Sequence, residues 1–167
     1  MVTLNEAEFD IEQKCSLFSR MSGDDSIGQA RSYMHQIFLE APAPWVFNFM
    51  ESTTVPEGVA DLMTEVAEAK VDVNLLGALP DEVYSQDGMR HLFYFKRPEE
   101  GLFSRNEKKH YVLPEAEVAG VIRAILLDRS RMDLFSKYLQ DDEDTREIFV
   151  CTHGARDACC ATFGYPV

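Results

Sequence analysis

Tyr33-Met-His-Gln-Ile-Phe-Leu-Glu40 decides the fold. At helical spacing, Ala30, Met34, Ile37 and Phe38 form one face. As an extended run, Ile37-Phe38-Leu39 is a buried strand that stops before Pro42. Pro42 and Pro44 end any regular element ahead of Trp45, and the chain beyond them favours the strand. Pro56-Glu57 opens a helix over residues 56–70, with Val59, Leu62, Met63 and Val66 in one stripe. Val71-Asp-Val-Asn-Leu-Leu-Gly-Ala-Leu79 is rich in strand formers and ends at Pro80. Asp87-Gly88 marks a turn. His91-Leu-Phe-Tyr-Phe95 reads as a strand, as does Lys109-His-Tyr-Val-Leu113, and each is closed by a proline. The strongest helical stripe follows in residues 115–127, where Val118, Val121, Ile122, Ile125 and Leu126 sit behind Glu115 and Glu117. Residues 132–139 read as a short amphipathic helix, and Asp141-Asp-Glu-Asp144 as a solvated charge run at a boundary.

The order is therefore strand, helix, strand, strand, strand, helix. A helix joining the first two strands makes them a right-handed parallel unit, and the third and fourth strands pair antiparallel. This is the thioredoxin arrangement: an α/β fold with a mixed sheet flanked by helices. Trp45 is expected to anchor the core. His35, His91 and His110, all on expected strands, read as surface or internally satisfied residues rather than ligands.

Composition limits the function. Acidic residues outnumber basic ones 29 to 16, and no Lys/Arg cluster offers a footprint for nucleic acid. No apolar run approaches the ~20 residues of a membrane span. The acidic start Met1-Val-Thr-Leu-Asn-Glu-Ala-Glu does not read as a signal peptide. With four cysteines, that leads to an expectation of a cytoplasmic protein with reduced thiols. There is no Cys-x-x-Cys, Ser-His-Asp set, glycine-rich phosphate loop or meaningful carboxylate pair, so no catalytic residue is assigned.

Three of the four cysteines fall in Cys151-Thr-His-Gly-Ala-Arg-Asp-Ala-Cys-Cys160. Before them Glu147-Ile-Phe-Val150 has strand composition, and Asp157 ahead of small residues suits a helix start. Strand, loop and helix N-terminus make a setting that stabilises a thiolate. Cys15 is expected to be a packing residue.

This stretch resembles the sucrase/ferredoxin-like family, through Cys151-Thr152-His153-Gly154, Arg156-Asp157, Cys159-Cys160-Ala161 and Phe163-Gly164. Residues 23–30 and Leu39-Glu-Ala-Pro-Ala-Pro-Trp45 are similar to the family's N-terminal half. The resemblance implies a thioredoxin-like [2Fe-2S] ferredoxin with electron transfer as its function and a redox protein as partner. It puts forward Cys151 and Cys160, with eight residues between them, as metal ligands. His153, Gly154, Arg156, Asp157 and Cys159 would support the loop. The family's second ligand pair, His-x3-His, has no match in these 167 residues. A cluster is therefore expected to bind poorly, or only in an assembly such as a bridged homodimer. The domain organisation follows: residues 1–30 are a lead-in, 31–144 a thioredoxin-like domain, and 145–167 the first strand-loop-helix of a second lobe. Two other functions fit the same residues, a thiol-based redox or metal-binding module and a non-catalytic interaction or dimerisation domain.

Overall fold

Ile37, Leu39, Leu92, Tyr94, Tyr111 and Leu113 are buried and alternate with polar or half-buried neighbours, the period-two signature of strands with one face in the core. The computed structural model describes Gly23 and residues 32–99, 105–142 and 144–150. The four strands are β1 (His35–Glu40), β2 (Val73–Ala78), β3 (Met89–Lys96) and β4 (Glu107–Pro114). They form one sheet in the order β2-β1-β3-β4. β1 runs parallel to β2 and antiparallel to β3, and β3 is antiparallel to β4. The run at residues 33–40 thus holds a strand, His35–Glu40, and the mixed α/β sheet has the thioredoxin-like arrangement.

Both α-helices lie on one face of this sheet. Val59, Leu62 and Val66 of α1 (Val59–Glu68) and Val118, Val121, Ile122 and Ile125 of α2 (Val118–Leu126) join the buried strand residues in a single core cluster. Fully burying a side chain the size of Ile122 contributes roughly 1.5–3 kcal/mol, so this cluster holds most of the fold's stability. Arg123 of α2 forks onto Glu65 of α1, at 2.7 and 2.5 Å. His35, at the start of β1, shares a 2.8 Å hydrogen bond between its Nδ1 and the Tyr94 hydroxyl. Burial holds its pKa below the ordinary histidine value, with Arg129 and Lys96 adding to the effect.

Three expectations are corrected. Residues 132–139 belong to a 3-10 helix, Arg129–Tyr138. Met132, Phe135 and Tyr138 recur every third residue and face the core, which is the 3-10 period rather than the α period. Trp45 is outside the core cluster. Its indole donates to the Pro42 carbonyl at 3.0 Å and meets the Phe49 ring edge-on at 5.3 Å. Phe49 in turn lies against Gly77 of β2, where a Cβ would come within 2.5 Å of the ring. Finally, Glu147-Ile-Phe-Val150 makes no strand pairing among the described residues, and Ile148 is 89 % exposed. Strand formers describe a half-buried pleated surface, and no neighbouring described strand supplies one there.

The chain divides into two units, and all the elements above belong to the one formed by Tyr33–Ile148.

Candidate functional site

The alternation that sends Leu92, Tyr94, Tyr111 and Leu113 to the helices sends His91, Phe93, Lys108 and His110 to the opposite face. Antiparallel register places Phe93 of β3 directly across from His110 of β4, and their rings stack at 4.1 Å and 11°. The connection between β2 and β3, residues 79–88, contains no helix. It turns at Gly88, whose φ of +74° suits glycine.

Two side chains of this face hold the segment 142–147. Lys108 is 4 % exposed. Its ammonium donates to the Asp142 carbonyl at 2.9 Å, to Thr145 Oγ1 at 2.6 Å and to Glu147 Oε1 at 2.6 Å. It therefore spends its three donors on one short stretch of chain. Burial alone would raise the Glu147 pKa, but the hydrogen bonds from Lys108 and Thr145 outweigh it and hold that carboxyl below its ordinary value. Asp142 Oδ1 is buried without a hydrogen bond and lies 3.5 Å from the Lys108 ammonium, an electrostatic contact only.

The second anchor is a chain of rings. Asp142 Oδ2 lies 2.6 Å from His110 Nδ1, and His110 Nε2 lies 2.9 Å from His91 Nδ1. His91 Nε2 faces the Tyr84 carbonyl at 3.2 Å and Glu40 Oε2 at 4.0 Å. Burial lowers the His110 pKa, opposed by the hydrogen bond to Asp142. The histidines on strands thus all meet internal groups, as expected, with His35 and His110 buried and His91 half-buried. Asp142 is likewise no solvated member of a charge run. Beside Lys108 opens a cleft of about 290 Å³, lined in part by Phe95, Arg105, Arg146 and Glu147. Chemically, the face supplies a buried ammonium clamp and a carboxylate–imidazole–imidazole hydrogen-bond chain. No group of three or more His, Cys, Asp or Glu among the described residues is arranged to hold a metal ion.

The sequence-derived site residues Cys151, His153, Gly154, Arg156, Asp157, Cys159 and Cys160 lie outside the described residues, as do Cys15 and the helix start expected at Asp157. What the structure adds is that residues 142–147, which precede Cys151 in sequence, are fastened to the sheet. Sequence reading missed this fastening. The signal was the alternation that puts Lys108 and His110 on one face, with an acidic run some thirty residues later.

The sheet order and the helices define a thioredoxin-like α/β protein. The sequence pattern described as sucrase/ferredoxin-like matches residues 26–167, and the chain belongs to that family. Comparison with curated proteins and with solved structures gives no match. No helix among the described residues is long and apolar enough to cross a membrane.

Proposed function

We propose that this chain contributes to iron–sulfur electron transfer, with Cys151 and Cys160 as thiolate ligands and a redox protein as partner. The observation that supports the reading most is the Cys-x8-Cys spacing inside the family match over residues 26–167. Each iron of a [2Fe-2S] cluster takes two protein ligands, and thiolates suit it. Cys151 and Cys160 would hold one iron, and the group, once bound, would supply one-electron chemistry. The described residues offer no second ligand set, so the remaining donors come from another chain or from residues outside those described. The chain's own contribution is positional. Lys108 and His110 fasten residues 142–147, which precede the cysteine stretch in sequence, to the sheet. The acidic balance suits a partner with a basic docking surface. A cytoplasmic location fits the reading, because thiolate ligands need a reducing compartment.

Anaerobic reconstitution with iron and sulfide tests the proposal, followed by visible absorption, iron quantification and size-exclusion chromatography. About one iron per chain in a dimeric species is the expected result, abolished by either Cys151→Ser or Cys160→Ser. A chain that stays colourless with intact thiols would overturn it in favour of a thiol-based or non-catalytic role. One full cluster per monomer would overturn the shared-ligand arrangement.

A further inference from the structure

The Asp142–His110–His91–Tyr84 chain contains three links, and each needs one hydrogen. With Asp142 ionised, two neutral imidazoles bring only two. The charged and shortest link, 2.6 Å from Asp142 Oδ2 to His110 Nδ1, takes the first, because a carboxylate is the strongest acceptor present. His110 Nε2 is then a lone pair, and it accepts from His91 Nδ1–H at 2.9 Å. His91 Nε2 is left bare. It nevertheless points at two acceptors, the Tyr84 carbonyl at 3.2 Å and Glu40 Oε2 at 4.0 Å. A lone pair aimed at oxygens is repulsive. One added proton turns the same contacts into a hydrogen bond and an ion pair.

We propose that Nε2 of His91 is a proton-binding site that latches the 79–88 connection onto the sheet. With the proton bound, His91 donates to Tyr84 O and the connection is held. Without it, that link opens while His110 keeps its grip on Asp142. Tyr84 is 71 % exposed and Val83 80 %, so the latch controls an apolar, acidic-flanked surface loop. The groups facing the two rings are Glu40 of β1, the Tyr84 carbonyl of the connection, Phe93 of β3, Lys108 of β4 and Asp142 beyond the 3-10 helix. Burial lowers the His110 pKa against the opposing pull of Asp142, and His91 is the ring with a nitrogen still lacking a hydrogen. The latch goes beyond the electron-transfer reading and does not depend on it.

The test uses the whole 167-residue chain. Hydrogen exchange of the 79–88 peptide, normalised to intrinsic rates, is followed from pH 5 to pH 8. Protection should fall about fivefold across that range, the ratio that one ordinary hydrogen bond supports. Asp142→Asn discriminates. An amide at 142 donates to His110 Nδ1, both tautomers reverse, and the third hydrogen is supplied without a proton. The variant should hold the connection at the latched level throughout. Nitrogen spectra of the rings give a second readout that needs no variant. They should show His91 protonated on both nitrogens at pH 5 and bare at Nε2 at pH 8, with His110 carrying Nδ1–H at both. Flat protection in the native chain, an unchanged pH profile in Asp142→Asn, or a hydrogen on His91 Nε2 at pH 8 would each overturn the proposal.

Discussion

The two faces of the four-stranded sheet are built from the same strands and work by different physics. The helix-covered face carries Ile37, Leu39, Leu92, Tyr94, Tyr111 and Leu113, closed over by α1 and α2. Its energy is spread over many non-directional contacts. The opposite face carries Glu40, His91, Phe93, Lys108 and His110, and its energy lies in a few directional links to residues 84, 142, 145 and 147. Burial on the first face decides whether the chain folds. Pairing on the second decides where two particular segments sit. A buried cation without its acceptors costs far more than it returns, so the second face is specific because it tolerates no substitute arrangement.

Substitutions can separate the two faces. The largest effect should come from Ile122→Ala, a fully buried side chain of α2, at about 4 kcal/mol of global stability. Its denaturant midpoint should fall while the hydrogen-exchange pattern of residues 79–88 keeps its pH dependence. Lys108→Met should cost about 2 kcal/mol, since it strands the Glu147 carboxylate, the Thr145 hydroxyl and the Asp142 carbonyl. Its signature is local: cleavage by trypsin after Arg146 should speed up well before the core opens. Equal loss of local and global protection would mean that the division between faces is wrong. Gly77→Ala should cost about 1 kcal/mol by pushing the Phe49 ring aside. Phe49→Leu should recover part of that loss in a double-mutant cycle.

The smallest effect is a pH dependence on the helix-covered face. The folded pKa of His35 is depressed, first by burial, so the unfolded chain binds the proton more readily. The stability contribution of His35 is therefore fully present above the ordinary value of 6.5 and is lost as pH falls through the lower folded value. Thermal unfolding midpoints should drop on acidification below about pH 6.5, and His35→Gln should flatten the curve. A native midpoint that is flat between pH 7 and pH 5 would show that the ring binds its proton equally well in the folded and unfolded chain.

The helix-covered face was legible from sequence because its determinants are local and periodic. Val118, Val121, Ile122 and Ile125 announce a helix, and prolines at 42, 80, 98 and 114 close the strands near where they end. Residues 33–40 were settled only by their context, since an apolar run before a proline carries either period. The opposite face was not legible. Lys108 and Glu147 are 39 residues apart, and His91 and His110 are 19. Alternation names the face a residue occupies but not the register that makes two residues neighbours. Residues 147–150 show the reverse failure, where strand composition met no partner strand among the described residues. The cysteine stretch was recognisable only as a motif, and its residues lie outside those described.

The clamp at Lys108 also has a mechanical consequence. Tension entering the described domain at Ile148 meets no backbone ladder first. It reaches the Glu147 and Thr145 contacts of Lys108, then the Asp142 contact of His110, and only then the Gln140 N–H bonded to the His110 carbonyl at 2.9 Å. Attachments loaded one after another yield at the strength of the single strongest, whereas a sheared ladder resists with all its bonds at once. The segment 142–147 would peel under a modest force before any pairing between the four strands is broken.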